Sequence, residues 1–555
     1  MKAGEVVLQQ LLNGSIQYRV PLFQRTYSWK DKQWEQLWDD LLDIYSMERP
    51  RNHFIGSVVT QPIPDAPERA AKFMLIDGQQ RLTTLCMILA IIRQKASEQS
   101  GKWPGLSQEI EDMCLVNKYV ASEEEKFKLR PTQGDRESFA AALRGDVPSP
   151  STQIGRAWAY FRQALEEGDA DGSDIDLRRL KNCITGYLDL VSIKLEQDDS
   201  PNRIFESLNN TGMRLSVTDL IRNYLFMNIR GESKQQEAYE TLWYPMEIRL
   251  SDEKYDYCSD FFWRYLMMDG KLPRFDETFD GIKEVIGNAD SDEVLGFLKR
   301  FSRFSEYYCR LAELNPSEPE GPFLSQMDRL NQWEVDVAYP FFMAALEHVH
   351  EGDTSESQFV DVARMVESFV VRRVVCGVPT NRLRSIFAQM SGRVDFHDLV
   401  NTSHQYLLDN EWPADAEFAA ALVHFRLYSP ARLGRTRLVL TSLERSFGHK
   451  ETPEMGPNIT IEHIMPQTLS PEWRAMLGSQ ATEVHSKWID TVGNLTLSGY
   501  NPDLGNKPFS EKKRLLLDSN FALSKGLREY EVWDEASIEK RGNELALRAA
   551  QIWRQ

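Results

Sequence analysis

Hydrophobic and polar positions alternate with two different periods in the first hundred residues. Short apolar runs bounded by turn residues predict β-strands at 15–23, 53–61 and 72–77. Between the first two runs, apolar residues recur at the spacing of an amphipathic helix: Trp34, Leu37, Trp38, Leu41 and Leu42. A tight turn and a long apolar helix follow the third run. This alternation predicts an α/β domain at the N-terminal end.

The remaining pattern is mostly helical. Residues 104–180 favour helices, 187–197 favour one more strand, and Ser216 with Asp219 has the spacing of a capping box that opens a helix. Strand signals return only near 459–463 and 492–497, before a helix at 508–517 and a final amphipathic helix. We therefore predict an α+β, multidomain chain with an N-terminal domain at 1–234, a helical connecting region at 235–450 and a C-terminal domain at 451–555.

Length and composition narrow the class of protein. A chain of 555 residues is too long for one hydrophobic core. The six cysteines are far apart and form no C-x-x-C pair, which argues against a disulfide framework and a structural zinc site. The longest apolar run is too short to cross a bilayer, and the first residues lack the features of a signal peptide. We expect a cytoplasmic protein without a membrane partner.

The charge balance argues against general affinity for nucleic acids. The formal net charge is −18, whereas proteins that bind phosphate backbones do so through Lys and Arg. Two local basic stretches stand out, at 431–450 and within 367–385, where Arg372, Arg373, Arg382 and Arg384 lie. Charge alone favours their interpretation as solvated helix faces.

The turn after the third strand has the sequence Asp77-Gly78-Gln79-Gln80-Arg81. Gly78 permits a tight turn, and the free N–H groups of the following helix start attract an anion. Arg81 in the first helical turn could fork onto a phosphate, and Asp77 could hold a metal ion or a sugar hydroxyl. The alternative is a common Asp-Gly turn followed by a surface arginine.

Residues 459–468, "ITIEHIMPQT", place Glu462 and His463 where a strand gives way to a turn. A neutral histidine is suited to activating water near pH 7, and a carboxylate suits Mg²⁺. A second short strand beginning at Asn494 and a helix at 508–517 complete the strand, strand, helix order of a ββα-metal (HNH) nuclease core. The alternative is a structural histidine at a strand end.

Motifs at both ends of the chain resemble one family. "VPLFQRTYSW", "HFIGSVV", "LIDGQQRLTTL" and "IFESLNNTGMRLSVTDLIRNYLF" resemble the N-terminal domain of GmrSD-type restriction proteins, and the G-x-x-R turn is similar to the phosphate-binding box of the ParB/sulfiredoxin-like fold. The resemblance implies binding and hydrolysis of a nucleoside triphosphate, with GTP, ATP, CTP and UTP all open. It implies these nucleotide-site residues: Gln24, Arg25, Asp77, Gly78, Gln79, Gln80 and Arg81. Asn209 and Asp219 match the later motif without an assigned role.

"IEHIMPQ", "GNLTL" and the asparagines before "PFSEKK" resemble the C-terminal HNH domain of the same family. The resemblance implies that His463 is the general base, Glu462 a ligand of Mg²⁺ or Mn²⁺, and Asn494 the residue that orders the loop after His463. The third HNH position falls on Asn501 or Asn506, and we favour Asn501 as the ligand.

Together these features predict a modification-dependent type IV restriction endonuclease for defence against phage. Its partners would be a nucleoside triphosphate and double-stranded DNA carrying a base or backbone modification. The kind of modification, nicking versus double-strand cleavage and assembly as a homodimer stay open. Phe23, Tyr27 and Trp29 either contact the modification or belong to the core. Two alternatives are a nucleotide-hydrolysing DNA-binding regulator with an inert HNH core and a non-enzymatic binding module.

The other eight histidines form no H-E-x-x-H pattern, and we interpret them as structural or surface groups: His53, His348, His350, His397, His404, His424, His449 and His485.

Overall fold

The computed structural model describes residues 2–63, 70–120, 125–169, 172–196, 216–252, 254–315, 317–448, 456 and 458–555. Contacts divide the chain into two compact units. The first unit comprises Met1–Tyr244 and Lys283–Leu298, and the second comprises Pro245–Ile282 and Lys299–Gln555. The predicted α+β, multidomain class is confirmed, whereas the three domain ranges taken from the sequence stay a prediction.

The first unit contains a six-stranded mixed sheet. Its strands are β1 (Lys2–Val7), β2 (Ile16–Arg19), β3 (His53–Pro62), β4 (Ala71–Asp77), β5 (Leu129–Arg130) and β6 (Leu188–Lys194). Their spatial order is β1-β6-β3-β4-β2-β5. β2 runs parallel to β4 and β5, β3 runs parallel to β6, and the other neighbouring pairs are antiparallel. The sheet therefore brings the end of β4, where the Asp-Gly turn begins, beside β3.

Helices cover both faces of this sheet. Those of the first 240 residues are α1 (Leu8–Leu11), α2 (Asp31–Ser46), α3 (Gln79–Glu98), α4 (Leu106–Ile110), α5 (Arg136–Arg144), α6 (Gln153–Glu167), α7 (Leu177–Gly186), α8 (Val217–Asn228) and α9 (Glu232–Ala238). α3 is buried almost all round and forms the centre of the main core with α2, α6 and α7. α8 packs through Leu220 and Met227 against Val59, Ile76 and Leu195. It begins with the predicted Ser216–Asp219 capping box, which is confirmed.

Between residues 244 and 448, the regular secondary structure of the described residues is helical. Its helices are α10 (Tyr244–Arg249), α11 (Tyr257–Leu266), α12 (Thr278–Ile286), α13 (Ser291–Leu311), α14 (Pro322–Gln332), α15 (Tyr339–Glu351), α16 (Glu356–Val375), α17 (Leu383–Met390), α18 (Leu399–Leu408), α19 (Asp415–His424) and α20 (Leu433–Arg445). No helix within the described ranges is both long and apolar enough to cross a membrane.

The C-terminal part contains a second, two-stranded sheet. β7 (Thr460–His463) and β8 (Leu495–Ser498) pair antiparallel. The helices here are α21 (Pro471–Leu477), α22 (Ala481–Trp488), α23 (Asn501–Leu504), α24 (Phe509–Leu517), α25 (Ala522–Lys525) and α26 (Glu535–Ile552). The strand, strand, helix order predicted from residue 459 onward is present as β7, β8 and α24, but two helices, α21 and α22, occupy the connection between the strands. β8 begins at Leu495, after a 3₁₀ turn at Val492–Asn494, so Asn494 precedes the strand that the sequence predicted it to begin.

Two arginines on α16 contradict the interpretation of a solvated basic face. Arg372 and Arg373 are almost fully buried. Arg372 donates hydrogen bonds to the carbonyls of Ala550 and Trp553 at the end of α26, and Arg373 donates to the carbonyl of Asn410. The prediction was wrong here because the distant carbonyl groups that satisfy both guanidiniums cannot be seen in the local sequence.

Candidate functional site

Glu462 and His463 are the last two residues of β7, and both are 7% exposed. Glu462 lies opposite Thr496 and His463 opposite Leu495 in the register with β8. Because successive side chains of a strand point to opposite faces, the carboxylate and the imidazole leave the sheet on different sides. One strand end thus supplies two buried polar groups with different surroundings.

The imidazole of His463 is buried between Tyr428 and Asp490. Its Nε2 atom is 3.4 Å from Asp490 Oδ1, with no well-aligned hydrogen bond to any group. The Tyr428 ring meets the imidazole edge-on at 4.5 Å. Burial lowers the pKa of His463, and the Asp490 carboxylate partly opposes that shift. The imidazole of His463 is therefore neutral near pH 7 and able to accept a proton.

Asn494 ties the chain after His463 to the start of β8. Its Oδ1 accepts hydrogen bonds from Met465 N at 2.8 Å and from Trp533 Nε1 at 3.0 Å. Its Nδ2 donates to the carbonyls of Met465 and Ile489, each at 3.0 Å. Asn494 is fully buried, and these four bonds use both its donors and both its acceptor positions. The side chain fixes the loop that follows β7.

α26 supports Asn494 from behind. Arg541 donates to the carbonyls of Val492, Gly493 and Leu495, which flank Asn494 in the chain. This cation is surrounded by carbonyl groups, and burial lowers its pKa to about 10. A Cβ atom at Gly493 would lie 2.3 Å from the carbonyl oxygen of Ile538, so only glycine allows α26 to approach this closely.

Glu462 forms a buried ion pair that the sequence did not predict. Its Oε1 is 2.6 Å from Nζ of Lys512 on α24, and the same ammonium donates to the carbonyl oxygen of His463 at 2.8 Å. Burial raises the pKa of Glu462 and lowers that of Lys512, so each group relies on the other to stay charged. The missed signal is the position of Lys512 on the buried stripe of α24 with Phe509 and Leu516.

The two candidate asparagines lie between β8 and α24. Asn501 is the first residue of α23, a short helix that contacts β7. Asn506 is exposed and lies three residues before α24 begins. The choice of Asn501 over Asn506 as the third HNH position stays a prediction.

The Asp-Gly turn joins β4 to α3 as predicted. Gly78 has a φ of +92°, in the left-handed region, and is the N-cap of α3. A Cβ atom there would lie 2.9 Å from Ser57 O and from Val58 Cγ2, so the turn has neither the backbone freedom nor the space for another residue. The first amides of the 20-residue helix α3 follow this turn directly.

Gln80 holds the loop that precedes α2. Its Oε1 accepts from Ser28 N at 2.8 Å, and its Nε2 donates to the carbonyl of Thr26 at 3.2 Å. Tyr27, between those residues, shares a 2.7 Å hydrogen bond with Thr84 one turn further along α3. Gln80 is therefore engaged in shaping this loop.

The side chains of Gln24 and Gln79 contact each other next to the Asp77–Gly78 turn. Nε2 of Gln24 donates to the carbonyl of Ile76 at 3.2 Å, and Nε2 of Gln79 donates to the carbonyl of Arg25 at 3.2 Å. Both side chains are buried, and among the described residues Oε1 of Gln79 has no hydrogen-bond partner. An unpartnered buried acceptor is uncommon in a folded protein.

Charged groups from three segments surround Arg25. Burial lowers the pKa of Arg25, while Asp219 and Asp77 oppose the shift and Arg222 adds to it. Asp219 is paired with Arg222 on α8, and Arg222 also donates to the carbonyl of Phe23 at 2.5 Å. Within the described residues, the guanidinium of Arg25 makes no hydrogen bond or ion pair. α8 thus brings Asp219, which had no assigned role, to the same site.

Arg81 and Asp77 both contact β3. Arg81 donates a hydrogen bond through Nη1 to the carbonyl of Ser57, and the hydroxyl of Ser57 donates to Asp77 Oδ2 at 3.4 Å. One of the donors of Arg81 is thus already used within the sheet. Asn209 lies outside the described residues.

The aromatic residues of the same loop belong to the core. Phe23 and Tyr27 are 1% and 4% exposed, and Phe23 stacks on Phe226 of α8 at 5.8 Å. Trp29 is partly buried against the main core. These contacts favour the core interpretation of the three aromatics over direct contact with modified DNA.

Comparison with known families identifies both ends of the chain. The model of the GmrSD restriction endonuclease N-terminal domain matches residues 8–226, and that of the GmrSD restriction endonuclease C-terminal domain matches residues 412–547. A search of curated proteins found no match. The two matched segments cover more than half of the chain and contain, respectively, the Asp77–Arg81 turn and the Glu462–Lys512 pair. They confirm the resemblance drawn from the motifs: the chain belongs to the GmrSD restriction endonuclease family.

Proposed function

We propose that this restriction endonuclease cleaves or nicks modified DNA with an HNH core formed by β7, β8 and α24, and that His463 is its general base. The observation that carries the proposal is the position of His463 at the end of β7, next to the Glu462 carboxylate and before a loop that Asn494 fixes. A neutral imidazole in that position can take a proton from water as the water attacks a phosphodiester.

The neighbouring groups of His463 suit that role. Once the ring has taken a proton, Asp490 Oδ1, 3.4 Å from Nε2, stabilises the imidazolium. Lys512 holds the main chain at His463, and Asn494 holds the chain at Met465 just beyond it. The base is thereby kept in place before substrate arrives.

Glu462, with Asn501 or Asn506, would hold a divalent cation. Their oxygen donors fit Mg²⁺ or Mn²⁺, which bind few protein groups and retain several waters. Because Lys512 already engages Oε1 of Glu462, a metal ion would bind through the other oxygen or displace the ammonium. When bound, the ion would supply charge stabilisation to the scissile phosphate.

The turn at Asp77–Arg81 is proposed to bind and hydrolyse a nucleoside triphosphate that controls cleavage. Support comes from the start of α3, the guanidinium of Arg25 without a hydrogen bond or ion pair among the described residues, and the unpartnered Oε1 of Gln79. Arg25, and the remaining donors of Arg81, would face the phosphates. Oε1 of Gln79 would accept a hydrogen bond from the sugar or the base.

Cleavage of phage DNA of known chemistry tests the nuclease. Wild type with Mg²⁺ should cut or nick modified DNA and spare the unmodified form. His463→Ala should lose about 10²–10⁴-fold in rate. His424→Ala, an exposed histidine in the same unit, should remain within about twofold of wild type, because replacing a surface residue changes stability little. A His463→Ala protein that cuts within threefold of wild type would rule out the assigned base.

Calorimetry with GTP, ATP, CTP and UTP tests the nucleotide site. Arg25→Ala should weaken binding of the preferred nucleotide about ten- to a hundredfold, since charge-assisted hydrogen bonds contribute about 1.5–3 kcal/mol each. Arg162→Ala is the matched control, because Arg162 is exposed and paired only with Glu166. If wild type and Arg25→Ala bound the nucleotide equally, or if wild type bound none of the four nucleotides, the Asp77–Arg81 segment would be only a structural turn.

A further inference from the structure

Two histidines and two carboxylates converge at the C-terminal end of α15. Nδ1 of His348 is 2.8 Å from Asp353 Oδ2 and 3.6 Å from Glu351 Oε2. Nδ1 of His397, more than forty residues later, is 3.8 Å from the other oxygen of Asp353. The sequence predicts that both histidines are structural or surface groups, because neither lies in a metal-binding motif.

The chain geometry brings the carboxylate of Asp353 back to the helix. α15 ends at Glu351, and the amides of Asp353 and Thr354 both donate to the carbonyl of His348, at 2.9 and 3.4 Å. The ring of Phe396 stacks on the imidazole of His348 at 4.0 Å and limits its rotation. Asp395 accepts a hydrogen bond from the amide of His397 at 3.0 Å. The donors are therefore held near one another by the backbone and by a stacked ring.

Three of these donors are close enough to share one metal ion. Ligands about 2.0–2.2 Å from a tetrahedral ion are separated from one another by about 3.3–3.6 Å. The donor atoms of His348, Glu351 and Asp353 all lie within 4.8 Å of one another, and the 3.6 Å between His348 Nδ1 and Glu351 Oε2 equals the expected value. The 2.8 Å between His348 Nδ1 and Asp353 Oδ2 is a direct hydrogen bond that an ion would replace, and His397 approaches the other oxygen of Asp353 at 3.8 Å from outside this group of three. In the described part of the chain, no other three such side chains come this close together.

A simple helix-end ion pair accounts for only part of this arrangement. One histidine near the last turn of a helix is stabilised by the helix dipole and needs a single carboxylate. Here a second carboxylate, Glu351, and a second histidine, His397 from a separate segment, also lie close to the His348–Asp353 pair. Their donor set of two imidazoles and two carboxylates has the chemistry of a first-row transition ion and not that of Mg²⁺.

We propose that His348, Glu351, Asp353 and His397 bind a divalent transition-metal ion of the Zn²⁺ type, at a site separate from the nuclease centre. The ion joins the end of α15 to the Phe396–Asp398 turn, which leads into α18. Its role is structural, because the cluster contains no group that the nuclease or the nucleotide turn uses.

Titration with Co²⁺, a spectroscopic substitute for Zn²⁺, tests the site. The titration uses full-length protein carrying Glu462→Gln, which removes the carboxylate proposed for the nuclease metal. This protein should show visible d–d bands at one equivalent of Co²⁺. Adding His348→Ala should lower the affinity at least about tenfold, and Zn²⁺ should no longer raise its melting temperature.

Two further variants control for folding and for adventitious binding. His397→Ala removes a side chain that is 74% exposed, so it should fold normally and still weaken Co²⁺ binding. His350→Ala removes an exposed histidine of the same helical turn that lies outside the cluster, and it should bind like the parent. No d–d bands in the parent, unchanged affinity in both His348→Ala and His397→Ala, or an equal loss in His350→Ala would overturn the proposal.

Discussion

Replacing Asn494 with alanine should damage the stability of the second unit as well as cleavage. The substitution removes four buried hydrogen bonds, two of them to Met465 and the others to Ile489 and Trp533. A net value of about 1 kcal/mol for each bond gives a loss on the order of 4 kcal/mol. With about 2–4 °C per kcal/mol for a large domain, the melting temperature should fall by roughly 10 °C.

His463→Ala should behave differently. The imidazole makes no well-aligned hydrogen bond through Nε2, and its principal ring contact is with Tyr428. Its removal should cost about 0.5–3 kcal/mol, the usual range for a single substitution. Both variants should lose cleavage, but Asn494→Ala should lose more stability, because Asn494 makes four hydrogen bonds that hold the loop whereas His463 is proposed to act as the base.

Thermal unfolding followed by tryptophan fluorescence, together with a plasmid-nicking assay, separates the two roles. Trp533→Phe removes the indole donor to Asn494 and also part of a fully buried ring that packs against Phe509 and Tyr530, so it should cost more than the roughly 1 kcal/mol of the hydrogen bond alone. Asn543→Ala, an exposed asparagine on α26, should stay within about 0.5 kcal/mol of wild type. Equal melting temperatures for Asn494→Ala and wild type would refute the bracing role, and a large stability loss in His463→Ala would refute the contrast.

Three more outcomes are expected. EDTA should stop cleavage, and Mg²⁺ or Mn²⁺ should restore it. Asn501→Ala should be inactive and Asn506→Ala active, and the opposite result would move the third HNH position to Asn506. Lys512→Met should lower the free energy of unfolding by about 3–5 kcal/mol, because it leaves a buried carboxylate unpaired, and a chemical denaturation curve like that of wild type would contradict it. Gly78→Ala should abolish nucleotide binding in calorimetry because of its positive φ and lack of space, whereas Gly101→Ala, with open space around it, should bind normally.

The strands and turns next to both sites could be predicted because their signals are local. β3 and β4 contain short apolar runs that end at turn residues, β7 begins within a β-branched run and ends before a turn, and Gly78 marks its own turn. β1 was not predicted, because most of its residues are exposed at the sheet edge and show no alternation of burial. Period and turn chemistry therefore identify a strand only where one of its faces is buried.

The partners of the candidate site residues could not be predicted in the same way. Lys512 is 50 positions from Glu462, and Arg372 is 181 positions from the carbonyl of Trp553 that it binds. In the sequence these are ordinary charged residues on helices, which usually face solvent. Burial of such groups depends on tertiary contacts that bring carbonyls or carboxylates to them, and no local pattern records those contacts.

The buried polar groups around His463 in the second unit differ in how completely they are hydrogen-bonded. Asn494 uses all of its hydrogen-bonding capacity, Arg541 is surrounded by carbonyls, and the Lys512 ammonium bonds to Glu462 and to the main chain of His463. Among the described residues of this network, Nε2 of His463 has only the Asp490 carboxylate near it, at 3.4 Å and without hydrogen-bond alignment. Leaving a buried polar atom poorly bonded costs up to about 1–3 kcal/mol, so a rigid and fully bonded surround is needed to hold it in place. As the proposed base, His463 needs a fixed ring, and the satisfied groups around it keep the imidazole from turning away to find another partner.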